Sequence, residues 1–406
     1  MLKDRELEKI LKPVLELYSN IENELLTLIA SKFDIYDEIG GSLEWWIRKL
    51  DQMGQLNEES IQIISSVSGK SEEYIKKSLE NVGYDSIDWD TYNKAYELGV
   101  TNVDPKNINL SNVIQSRVDE ALKQVTLIRT SAIEGTNLAY RQILDAAYLE
   151  TSTGLYDYRS SVKRAMERMA DKGITAATYL RSDGREVSYS IEGVVRRNIM
   201  SELIATAGKS NEFVAEELNA EYYATSQHIG ARNTGIGHQN HESWQNRIFK
   251  RVGQDEEYPN FNIVTGYGLV DGLCGVNCRH LFWAYFPGIS SPLPTDIDAK
   301  ENARIYALEQ RQRYLERKVR DAKRRLSIAE ELKDEDMIVE SKQLLRNRQV
   351  RVKEFVKSNP ELKRDYDRER IVKYPINTNE HIVGHLDIDK LNSYCSQRRV
   401  IIRLLL

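Results

Sequence analysis

The chain has 406 residues, enough for two or three domains around a sizeable core. Its formal net charge of −5 excludes a globally basic nucleic-acid binder but leaves room for a local basic face. Three cysteines argue against a disulfide scaffold and for a protein kept in a reducing cytoplasm. No run of eighteen apolar residues indicates a transmembrane helix. The charged start, Met1 to Glu8, does not read as a secretory signal.

In chain order, the first hundred residues read as short amphipathic helices. Pro13 suits a first helical turn. Val14, Leu17, Ile21, Leu25 and Leu28 recur at spacings of three and four. Gly40-Gly41, Gly54, Gly69, Gly83 and Gly99 punctuate these units, and Trp45-Trp46 reads as a buried aromatic pair or as a docking anchor. Val113 to Arg129 has long-helix character, with a break predicted over Ser131 to Gly135. Tyr158 to Lys172 is an amphipathic helix ended by Gly173. A hairpin follows, Thr175 to Leu180 with Glu186 to Tyr189, and then a helix over Ile191 to Ile204.

From Glu221 to Phe286 the helical period disappears, and short strands and loops are predicted. Ile305, Leu308, Gln312, Leu315, Val319, Ala322, Leu326 and Ala329 then form a heptad seam with one polar position. After an acidic turn at Lys333 to Asp336, a second helix over Met337 to Val356 completes an antiparallel hairpin, ended by Pro360. The tail holds His381 and His385 and closes on the apolar, β-prone Arg399 to Leu406.

The predicted class is mostly α with a small glycine-rich α+β module. The expected segments are a helical module at 1–105 and a helical region with the short hairpin at 106–190. The glycine-rich module at 191–290, the helical hairpin at 291–360 and the tail at 361–406 follow.

The densest chemistry lies between Thr265 and His280. Sixteen residues hold four glycines, two of the three cysteines and one of the six histidines. His241, Cys274, Cys278 and His280, with His238 as an alternative, are the candidate metal ligands, because thiolate with imidazole suits tetrahedral zinc. Two other readings stand beside it: buried thiols packed against a hydrogen-bonded histidine, and a Cys274–Cys278 disulfide. A P-loop, a G-x-S-x-G elbow and a full H-E-x-x-H are absent from the sequence. Arg317, Lys318, Arg320, Lys323, Arg324 and Arg325 make a basic stripe. It suits phosphate contacts, or a solvated helix face with intrahelical ion pairs.

Several motifs share an order and spacing with a known family. They are Val194 to Met200, Ala224 to Arg232, His241 to Gln245, Tyr258 to Phe261, the glycine–cysteine block and Phe286 to Ser290. On these the chain resembles the phage minor capsid protein 2 family and, more distantly, the phage Mu F-type head morphogenesis proteins. Asn107 to Asn112, Asp171 to Thr175 and Leu315 to Arg320 echo the family outside that segment. The motif residues are Gly230, Arg232, His241, Trp244, Gly266, Gly268, Gly272, Asn277 and Arg279. One departure is Asn246-Arg247, where the family carries Gly-Lys.

The resemblance implies a structural head protein of a tailed bacteriophage. It would be made in the host cytoplasm and held in the virion at the portal vertex or capsid interior, assisting head assembly and DNA delivery. The implied partners are the portal protein, docked through segment 1–105, the major capsid or scaffold protein, and packaged double-stranded DNA. The rival functions are a zinc- or Cys/His-dependent hydrolase carried in the virion and a DNA-binding or coiled-coil scaffold. The hydrolase predicts an open pocket at His241, Cys278 and His280.

Overall fold

The computed structural model describes residues 4–37, 43–180 and 184–371. Gly40-Gly41, the tip of the first hairpin and the tail with His381, His385 and Arg399 to Leu406 lie outside the described residues. The architecture is mostly helical with small antiparallel sheets. Among the described residues, no helix is long and apolar enough to cross a membrane.

The amino-terminal helices are longer than their glycines suggest: α1 (Asp4–Ser31), α2 (Leu43–Ser66), α3 (Ser68–Asp85) and α4 (Trp89–Glu97). Gly54 and Gly69 lie within helices, and of these punctuating glycines Gly99, at φ +70°, follows a helix end. Pro13 is likewise not in a first turn but inside α1. Leu7 and Leu11 upstream are as buried as Val14, Tyr18 and Ile21. Burying that longer face outweighs the roughly 3 kcal/mol that an interior proline costs a helix. Trp45 is buried and stacks edge-on against the half-buried Trp46, which places the pair in the core.

The predicted break at Ser131 to Gly135 does not occur. Helix α5 (Ser111–Ser152) runs unbroken for 42 residues. Gly135 is there for a close approach: a Cβ would lie 2.2 Å from the Thr175 carbonyl oxygen. Helix α6 (Tyr158–Lys172) is capped by the Asp157 carboxylate and ended by Gly173 at φ +74°. Strands β1 (Thr175–Leu180) and β2 (Glu186–Ser190) pair antiparallel as predicted. Helix α7 (Ile191–Glu217), capped by Ser190, runs well past the predicted end at Ile204 because Ala207, Gly208, Ser210, Asn211 and Val214 remain buried.

Strands β3 (Tyr222–Thr225), β4 (Ile248–Lys250) and β5 (Phe282–Tyr285) form a second sheet in the order β4-β3-β5. One-turn helices α8 (His241–Trp244) and α9 (Phe261–Thr265) sit in its long connections. The sheet packs on α7 through β5, and Tyr223, Phe261 and Phe282 join their rings beneath it. Helices α10 (Ala299–Leu332) and α11 (Glu335–Lys357) make the expected hairpin, with Leu315, Val319 and Val352 between them. The seam is shorter than predicted. Ile328, Ala329 and Leu332 enter the main core, which extends from Leu7 to Met337, and α10 therefore packs on two sides. The polar seam residue Gln312 is buried and bonds Glu316 and the Lys363 carbonyl.

Candidate functional site

The glycine–cysteine block is a chain of tight turns. Asn260 caps α9 by accepting from the Ile263 amide, and Gly266 ends that helix at φ +61°. From there N–H groups of Leu269, Gly272, Gly275 and Cys278 each donate to the carbonyl three residues earlier. A Cβ at Gly272 would stand 2.0 Å from the Gly266 oxygen, so only glycine lets the turns stack. Cys274 and Asn277 take left-handed backbone at φ +60° and +59°.

Asp271 ties this block to the histidine segment upstream. Its carboxylate accepts from His238 Nε2 at 3.0 Å and Gln239 Nε2 at 2.8 Å. Those bonds, Gln239's first, hold the carboxyl below its ordinary range. Its carbonyl accepts from His241 Nε2 at 2.9 Å and Arg232 Nη1 at 3.1 Å. Trp244 donates its indole N–H to the His238 carbonyl. The Gly230 amide donates to Asn302 on α10, and Arg279 reaches Glu8 on α1 at 3.8 Å. The motif residues thus act as braces between loops and helical body.

Three of the four candidate metal ligands meet. Donor atoms of His241, Cys278 and His280 lie within 4.8 Å of one another, and all three residues are buried. His280 Nδ1 is 3.6 Å from Cys278 Sγ, and His280 Nε2 is 3.1 Å from Gln245 Oε1. The His228 ring packs against His280 at a tilt of 44°, with centroids 4.2 Å apart. Burial pushes both imidazoles toward the neutral form, His280 furthest, and pushes the Cys278 thiol up to about 11.

Cys274 is the exception. Its left-handed backbone turns Sγ toward α7, where a Cβ on Gly208 would meet it at 2.8 Å. His238 is held instead by Asp271. Both thiols are free, so the disulfide reading is set aside. Gln245 and Asp271 position these side chains, a role that spacing alone does not assign to either. Gln245 adjoins Trp244 in a quoted motif, and Asp271 is the acid within the glycine block.

The basic stripe on α10 differs most from the expectation of an open face. Arg324 is buried between Glu22 and Glu192, Arg320 pairs with Glu192, and Arg325 grips Asp171 with two bonds. Lys323 donates to the Glu369 carbonyl, and Lys318 pairs with Asp321. Arg317 is the stripe residue left exposed. The cause is the two-sided packing of α10, which turns these cations onto acids of α1, α6 and α7.

With this geometry in place, the relatives can be compared. The sequence signature described as phage minor capsid protein 2 matches residues 2–357. The chain belongs to that family. A structural protein of Lactococcus phage LL-H is 24% identical over 346 residues, covering 80% of this chain and 88% of the relative. A structural protein of Lactococcus phage mv4 is 34% identical over 106 residues, or 26% of this chain and 86% of the relative. No solved structure matches. As a phage minor capsid protein 2 family member, the chain departs at Asn246, and the turn there survives. Asn246 holds φ +56°, a left-handed position that asparagine tolerates, and its amide bonds the Pro294 carbonyl and Asp296.

Proposed function

We propose that this phage structural protein is a minor head component that docks at the portal vertex, facing the capsid interior, and assists head assembly and DNA delivery. The observation that carries the docking is the surface of the glycine-rich module. Ile236 is 90% exposed, Ile263 76% and Val270 53%, on a module braced firmly to the helical body. Such exposed aliphatic side chains support a reading in which this surface is covered on assembly. The portal protein is the partner in this reading; major capsid and scaffold proteins are its competitors.

Contact with packaged double-stranded DNA belongs to the same reading, on a different face of α10. A cleft of about 680 Å³ between α10 and α11 is lined by Arg311, Lys318, Arg348 and Arg351, with Tyr314 and Glu354. Phosphate contacts there need no base recognition. The hydrolase alternative requires substrate access at His241, Cys278 and His280, and those side chains are buried.

The test is co-expression of the full chain with the phage's portal, major capsid and scaffold proteins, one at a time, followed by affinity capture. The expected result is a complex with the portal protein, weakened at least about tenfold by Ile236→Asp combined with Ile263→Asp, since two buried aliphatics are worth that much. Capture by the capsid or scaffold protein instead, or by none of the three, would overturn the portal placement.

A further inference from the structure

We propose that His241, Cys278 and His280 bind one zinc ion, which staples the glycine-rich loop to α8 and to the start of β5. The proposal goes beyond the head-protein reading and does not depend on it.

The donor set comes first. One thiol and two imidazoles converge within 4.8 Å in the protein interior. Soft sulfur with imidazole nitrogen selects zinc over magnesium or calcium, which take oxygen ligands. Binding replaces the Cys278 thiol proton, which leaves to solvent, with the ion.

Ring orientation is the second observation. The Asp271 carbonyl can only accept, so His241 Nε2 carries the proton in their 2.9 Å bond. Gln245 Oε1 already accepts the His228 amide N–H, which identifies it as the oxygen, so His280 Nε2 is also a donor. Each imidazole therefore keeps its lone pair on Nδ1. Metal-binding histidines are held in this manner, one nitrogen on the ion and the other donating to a carbonyl.

Spacing is the third. Zn–S of about 2.3 Å and Zn–N of about 2.0 Å put sulfur and nitrogen about 3.5 Å apart across a tetrahedral ion. Cys278 Sγ and His280 Nδ1 stand at 3.6 Å. His241 closes on the ion as the third donor, and water takes the fourth place. Ligation also supplies folding energy where it is needed, because the chain from Gly266 to Leu281 is made of turns with neither helix nor strand.

The experiment is metal analysis and native mass on the full-length protein produced with zinc in the medium, alongside Cys278→Ser, His241→Asn and Cys274→Ser. The expected result is one zinc per chain in the parent and in Cys274→Ser, and its loss in the other two. Should a ligand variant fail to fold, the parent protein loaded with cobalt(II) decides. A thiolate-to-cobalt charge-transfer band with intense tetrahedral visible bands supports the site. A folded parent without zinc, zinc retained by Cys278→Ser, or a cobalt spectrum lacking the thiolate band overturns it. In that case Cys278 simply donates its S–H to His280.

Discussion

At the scale of single residues, two glycines of the same loop do different work. Gly268 holds φ +89° with nothing within 4 Å of an added Cβ, so its role is conformational. Gly272 lacks that conformation but has the Gly266 oxygen 2.0 Å from where a Cβ would stand. Gly268→Val is expected to lower unfolding free energy by roughly 1–2 kcal/mol, the cost of left-handed backbone. Gly272→Val should cost more, because two backbone segments must part. Denaturant unfolding of both variants checks the order, and a Gly268 variant at least as damaged as the Gly272 one would contradict it. The density of glycine, cysteine and histidine pointed to this loop. Which thiol faces the histidines was not legible, since that follows from one left-handed residue, Cys274, and spacing does not encode the sign of φ.

At the scale of elements, α5 and α10 show where periodicity misleads. Gly135 reads as a break because glycine is a poor helix former, yet its helix continues, and the missing side chain admits the Thr175 backbone. The charges of α10 read as a stripe because local sequence carries only one helix at a time. Packed on two sides, the helix spends most of them on acids of other elements and leaves the α10–α11 cleft as its basic surface. Arg311 and Arg351, both exposed, line that cleft, whereas Lys323 is bonded to the Glu369 carbonyl. Arg311→Ala with Arg351→Ala should reduce the salt slope of duplex DNA binding by about two, and Lys323→Ala should leave it unchanged. Titrations across a salt series measure this. An equal loss of slope in Lys323→Ala would return the contact to the original stripe.

At the scale of the whole molecule, a buried charge cluster joins the two ends of the described chain. Arg324 of α10 lies 3.1 Å from Glu22 of α1 and 3.3 Å from Glu192 at the start of α7. Glu22 also accepts the amides of Ile174 and Glu192. Burial would raise Glu192, but Arg320, Arg324 and Arg196 outweigh it and bring the carboxyl down from 4.5 to about 2. For Glu22 burial prevails over Arg324, and its carboxyl is raised. A depressed carboxyl stabilises the fold above its unfolded value and loses that contribution as pH falls through its folded one. Glu192 therefore contributes above about pH 4.5 and is lost toward about pH 2, while Glu22 runs in the opposite direction. Glu192→Gln should cost roughly 3–5 kcal/mol at neutral pH and flatten this acid limb. Unfolding midpoints measured from pH 7 to pH 2 check both, and an unchanged acid limb in the variant would remove Glu192 from the account.

By itself the sequence determined the helical class, the β1–β2 hairpin, the α10–α11 hairpin, the family and the loop worth inspecting. Each of these is written in local periodicity, caps, turn residues or motif order, all readable along one strand of chain. Tertiary structure decided which ligands converge, where the cations of α10 point and why Gly135 and Pro13 sit inside helices. Those outcomes depend on what packs against each residue from elements tens to hundreds of positions away, such as Thr175 on Gly135 and Glu22 on Arg324. Burial and pairing across that distance outweigh local propensity, and no local pattern records them.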